Sequence, residues 1–487
     1  MKFLPAIALL CFASGCLANA LAYAPCTSDC AAEAEPFLKA SALVQPALLH
    51  GPNYRVVPEV QVRGYMARFL IDTPFGPLTA DSVELLAIRI GEVPALEALD
   101  RASKTGAFAH ALAERGRKTG AAIANVVIHP LDAITGLPEG VARYFGEQWG
   151  KWTGRAQSVA DRSSKQFQNK GDPYRAPPGP MTAGRDAPPD EDSSVPESPE
   201  IAPAFPPYRP SMAIKKSRAW YARVGSETER EAKRYLKYNQ SRREMAKVLG
   251  VDPNSTNPIL NDKLDELAWA AVGGNFSAGT ALGEVAGTAA EVISWSGKLN
   301  QYVLTKTPEE LREVNRTRLL KFCSDDFAVR QFLRRGGFTD TLRTALAESL
   351  EKLRPQTGCN ELIELGLTTR GEVEARYLVD ALKLIEREPD TIGGTLFVAG
   401  AALAWRTPSG KILLPLPVDY LTWSHDIGGF FDRPEFANAD KTVLIGGEAS
   451  MLAQRNLTTR GWNLLLRAPY DGAPVYPGGE LQPRSRF

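Results

Sequence analysis

Asp419, His425 and Asp426 are the residues best placed to move a proton, since all three fall within the ten residues Pro417–Asp426. A histidine flanked by carboxylates titrates near neutral pH and serves as a general base or a metal ligand. No serine nucleophile elbow, zincin helix or paired-histidine spacing accompanies them. Ordinary loop hydrogen bonding is therefore the simpler reading. The chain holds only four histidines, and His110 and His129 read as a helix-face and a helix-end residue. No metal or cofactor is expected.

Gly446-Gly447-Glu448-Ala449-Ser450 offers a second chemistry. Where a strand runs into a helix, the free amides of the first turn can hold an anion, and Ser450 would add a hydroxyl. The segment lacks both the Gly-x-Gly-x-x-Gly and the Gly-Lys-Ser/Thr patterns. A tight turn that needs glycine for its backbone angles explains it more simply.

Two surfaces could meet a large partner. Residues 215–247 carry eleven Lys/Arg against four Glu, interleaved with Trp220, Tyr221, Tyr235 and Tyr238. Such a segment can lie on anionic lipid or an acidic polymer, although paired charges at helical spacing also suit a solvated face. Gly279, Gly283 and Gly287 have the small-xxx-small spacing of close helix pairs. Glu284 and Glu291 make a membrane span expensive there, so a soluble helix contact is the simpler reading.

The first residues bear on location. Lys2 and the uncharged apolar run from Phe3 to Ala13 look like an export signal, too short for a permanent span. Cleavage after Ala18-Asn19-Ala20 gives a signal peptide of residues 1–20. The alternative, Ala13-Ser14-Gly15-Cys16, looks like a lipoprotein box with a leader of 1–15 and an acylated Cys16. In an oxidising compartment the remaining cysteines pair, and the expected disulfides are Cys26–Cys30 and Cys323–Cys359. The second pairing rests on an antiparallel helix pair, Ser324 to about Arg335 and Asp340 to Leu353, which would return the chain to its starting end.

These groups are set on 487 residues with a formal charge of +1 and 44% hydrophobic content. The length allows several domains, and the near-neutral balance argues against a general nucleic-acid binder. Residues 25–168 read as a small α+β domain. Tyr54 to Asp81 alternates as a meander of strands with turns at Gly64 and Pro74-Phe75-Gly76, and a helix starts at Ser82. Residues 169–212, rich in proline, read as a disordered linker. Residues 213–390 read as a helical domain, with capping boxes at Thr307–Glu310 and Thr369–Glu372.

Residues 391–487 read as an α/β module. Its hairpin comprises Thr395–Trp405 and Ile412–Leu421, and its strand–helix–strand unit comprises Thr442–Ile445, Glu448–Thr458 and Trp462–Leu466. The expected fold class is α+β, multidomain and predominantly helical.

Together these features suggest an exported envelope protein with a non-enzymatic binding or scaffold role at the periplasmic face of a membrane. It would be periplasmic or attached to the outer membrane, with secretion as a further destination. Its expected partner is an envelope protein or a membrane surface, with anionic lipid or polymer at residues 215–247 and no specific nucleic acid. Two alternatives are a hydrolase-like enzyme with its site in the C-terminal module and a secreted membrane-active effector.

Overall fold

A computed structural model describes residues 32–104, 140–145, 237–274, 301–335 and 338–477. The leader, Cys16, Cys26, Cys30, His110, His129, the linker, residues 215–236 and the glycines 279–287 lie outside the described residues. The fold is mixed α+β.

The N-terminal strands are β1 (Phe37–Lys39), β2 (His50–Gly51), β3 (Tyr54–Val56), β4 (Glu59–Arg63), β5 (Met66–Asp72) and β6 (Leu78–Ala80). They form an antiparallel sheet in the order β1-β4-β5-β3-β2, with β6 on β5. Alternation sets its two faces: Val60, Val62, Ala67, Phe69 and Ile71 are buried, whereas Leu70 points to solvent. Gly64 and Tyr65, both at positive φ, make the two-residue turn between β4 and β5.

Helix α1 (Ala40–Leu43) is a single turn, and α2 (Val83–Ser103) covers the sheet. The Ser82 hydroxyl accepts the Leu85 amide at 2.9 Å and starts α2. Helix α3 (residues 237–249) and α4 (Pro258–Gly274) complete this part, α4 packing along α2.

Six helices follow: α5 (Gln301–Thr305), α6 (Pro308–Leu319), α7 (Asp326–Phe332), α8 (Asp340–Leu353), α9 (Cys359–Leu367) and α10 (Glu372–Glu386). Thr307 and Glu310 form a complete capping box on α6. Thr369 does not open α10 in this way. Its hydroxyl donates back to the Gly366 carbonyl, and Glu374 accepts the Arg370 amide.

The C-terminal sheet contains β7 (Thr395–Ala399), β8 (Ala402–Arg406), β9 (Ile412–Leu416), β11 (Lys441–Ile445) and β13 (Asn463–Leu465), in the order β13-β11-β9-β8-β7. A separate parallel pair joins β10 (Tyr420–Leu421) to β12 (Glu448–Ala449). Helices α11 (His425–Phe431) and α12 (Met451–Thr459) complete it. The expected single strand Thr395–Trp405 is two strands, because Gly400 at φ +62° lets the chain reverse. The expected helix from Glu448 begins at Met451, after β12 has used Glu448 and Ala449. Strands β9, β11 and β13 run parallel, with α12 connecting the last two.

Buried apolar residues form two clusters. One joins the N-terminal sheet and α2 to residues 238–271 and Tyr476. The other joins Tyr65, Met66 and residues 141–145 to helices α6–α10 and the C-terminal sheet. Residues 237–274 thus share a core with the N-terminal sheet, while α10 lies on β8 and β9. The apolar faces choose their partners irrespective of chain order.

Cys323 and Cys359 are joined, with Cα atoms 4.9 Å apart. The helix pair that brings them together is α7 with α9, and not α7 with α8 as their order suggested. The Asn360 side chain seals this junction by accepting the amides of Ser324 and Asp325.

Candidate functional site

Asp419 sits between β9 and β10, where the C-terminal module meets the N-terminal sheet. Its Oδ2 accepts the Ala67 amide at 2.9 Å and the Val83 amide at 3.2 Å, and its Oδ1 accepts the Tyr476 hydroxyl at 3.2 Å. The Val83 amide is the first of α2, so the carboxylate also faces the positive end of that helix. Burial pushes its pKa up to about 6, although the three donors pull it down.

His425 and Asp426 occupy the first turn of α11 and are exposed. No hydrogen bond joins either of them to Asp419. The structure thus separates a buried structural carboxylate from two solvent-facing groups that are only neighbours in sequence.

The Gly446–Gly447 turn is covered by protein. A Cβ on Gly447 would stand 2.2 Å from the Asp419 carbonyl oxygen, and one on Gly446 would stand 3.2 Å from Pro417 Cα. Ser450 caps α12 by accepting the Ala453 amide at 3.0 Å, and it donates to Glu33. Glu33 also accepts the Trp423 amide at 2.7 Å. The chain's own carboxylate therefore takes the Ser450 hydroxyl that an external anion would have used. Among the described residues, no group of three or more His, Cys, Asp or Glu could hold a metal ion.

In the basic segment, Tyr238 and Arg242 turn toward the protein, whereas Lys237 and Lys247 are exposed. Tyr238 stacks on Trp269 at 4.6 Å, and Arg242 binds Asp265, Asn261 and the Pro253 carbonyl.

A network of charges that sequence reading did not single out crosses between α2 and α10. Arg376 bridges Glu84 on α2 at 2.8 Å and Glu372 on its own helix at 2.7 Å. Glu372 continues to Arg89 at 3.2 Å, which meets Glu92 at 3.2 Å. Lys383 holds Asp380 at 2.8 Å.

Glu84 is raised to about 8, first by burial and then by the Asp380 charge, with Arg376 and Lys383 opposing. Glu84, Arg376 and Asp380 border a cavity of about 20 Å³, enough for one water. Tyr377, Asp419, Tyr470 and Tyr476 also line it. The Tyr377 hydroxyl is buried without a hydrogen-bond partner among the described residues. One sequence signal could have disclosed this network: Glu372, Arg376, Asp380 and Lys383 recur at spacings of four, four and three, which puts all four charges on one face of α10.

An open groove of about 330 Å³ lies nearby, lined by Glu35, Arg63, Tyr65, Thr422, Ser424 and Asp426 among others. The Tyr65 and Ser424 hydroxyls are hydrogen-bonded at 2.8 Å, and Glu35 accepts the Tyr65 amide at 2.9 Å. Burial pushes the Tyr65 phenol up, so it stays protonated and cannot serve as a base for Ser424. Ser424 also accepts the Ile427 amide as the cap of α11. The Thr422 hydroxyl is buried and has no hydrogen-bond partner among the described residues.

The groove can donate and accept hydrogen bonds, and among the described residues of its lining none is an activated nucleophile. Comparison with family models, with curated proteins and with solved structures gives no match, so the site stands on its own geometry.

Proposed function

We propose that the chain is an exported envelope protein with a non-enzymatic binding or scaffold role at the periplasmic face of a membrane. In this reading residues 169–212 are a tether. The observation that carries the binding role is the groove of about 330 Å³ with the unpartnered Thr422 hydroxyl in its lining. A buried hydroxyl left without a partner costs about 1–3 kcal/mol, and a ligand that meets it recovers that cost. Asp426 and Glu35 flank it with carboxylates, which suits a polar segment of an envelope protein better than an acyl chain. Among the described residues no helix is long and apolar enough to cross a membrane.

The test is fractionation of cells expressing the full chain. Wild-type protein is expected with the envelope, and Thr422→Val combined with Asp426→Asn should release a folded protein into the soluble fraction. Wild-type protein found wholly in the soluble cytosolic fraction refutes the proposal.

A further inference from the structure

The seam between α2, α10 and the C-terminal residues 468–477 is crowded with charge. Glu84 on α2 faces Arg376, Asp380 and Lys383 on α10. Tyr470 and Tyr476 close over it from the C-terminal segment, and Asp419 approaches from the loop before β10. Further along, Glu372, Arg89 and Glu92 extend the chain of ion pairs. Asp252, within electrostatic range of Arg376 and Glu372, joins them, so six carboxyls share this interior with three cationic side chains. The carboxyls outnumber the cations, and neutralising a carboxyl by protonation is the usual way to relieve an excess of buried negative charge.

The geometry fits that resolution. Glu84 and Asp380 line one small cavity, each also held by a cation of α10, Arg376 at 2.8 Å and Lys383 at 2.8 Å, and two carboxyls can hydrogen-bond to each other only if one is protonated. The adjacent cavity of about 20 Å³ has room for a water between this pair and the unpartnered Tyr377 hydroxyl.

We propose that Glu84, Asp380 and Tyr377 enclose a proton-holding site that acts as a pH-set clamp across the seam. With the proton present, Glu84 donates to Asp380 and the seam is closed. Loss of the proton to solvent leaves two carboxylates facing each other, and their repulsion loosens α2 and residues 470–476 from α10. Glu84 holds its proton to about pH 8 in the folded chain, whereas an unfolded glutamate releases it near 4.5. The clamp's contribution is therefore complete below about pH 4.5 and falls as pH rises through 8. It works in the direction opposite to an ordinary surface carboxylate.

The experiment is urea unfolding of the mature full-length chain between pH 6.5 and 8.5, for wild type, Glu84→Gln and Asp380→Asn. One proton bound on folding changes the folding constant about tenfold per pH unit. Wild type is expected to lose stability with that added slope, and Glu84→Gln to lack it. Asp380→Asn removes the like charge, so its loss should begin at lower pH. Equal slopes in wild type and Glu84→Gln overturn the proposal.

If Glu84→Gln does not fold, wild-type hydrogen exchange decides. Amides 83–86 and 470–476 should lose protection above pH 8 beyond the intrinsic base-catalysed increase. A uniform change across the chain also overturns the proposal.

Discussion

Replacing Asp419 isolates what its carboxylate does. In Asp419→Ala, the Ala67 amide, the Val83 amide and the Tyr476 hydroxyl lose their acceptor together. Each buried donor left unsatisfied costs about 1–3 kcal/mol. Three give about 3–9 kcal/mol, and the Tyr476 hydroxyl can turn toward the neighbouring cavity, so about 4 kcal/mol is expected. Asp419→Asn should behave differently. Its carbonyl still accepts both amides, its amide can donate to Tyr476, and no charge is buried.

The Asn variant should therefore lie within about 1 kcal/mol of wild type at pH 7. It should also lack the stability that wild type gains as pH falls through about 6, where Asp419 takes up a proton. Urea unfolding followed by tryptophan fluorescence reads both, since Trp405 and Trp423 are buried nearby in the module. An Ala variant as stable as wild type, or an Asn variant as damaging as Ala, refutes the reasoning.

Three further outcomes follow from the same structure. Cys323 and Cys359 close a loop with a separation of 36 residues, and loop entropy makes that link worth about 4 kcal/mol. Replacing both with serine should lower the midpoint of thermal unfolding by several degrees, and reductant should do the same to wild type only. Gly447→Ala places a methyl group against the Asp419 carbonyl and should destabilise the chain by about 2 kcal/mol or more in urea unfolding. His425→Ala removes an exposed side chain and should change stability by less than about 0.5 kcal/mol. If a hydrolytic activity is found that this variant abolishes with the fold intact, the non-enzymatic reading fails.

Local features of the fold were legible. The Thr307–Glu310 box, the Ser82 start of α2, the Asp340–Leu353 helix and the Gly64 turn each depend on residues within one turn of one another. Misreadings arose where a neighbour in space competes with one in sequence. Thr369 found the Gly366 carbonyl before it could cap α10, and α7 packed on α9. The candidate site residues part for the same reason. Asp419, His425 and Asp426 look like a cluster on paper, yet one is buried against Ala67 and Val83 while the others face solvent.

What residue order alone determined about this protein is its caps, turns, strand alternation and amphipathic helices, because these energies act over a few residues. Tertiary structure alone decided which charges lie inside and which partners they meet. Arg376 reaches Glu84 across 292 residues, and Asp419 reaches Val83 across 336. A carboxyl's affinity for its proton is set by the dielectric and the charges around it, and chain folding brings these together from positions that no local pattern connects.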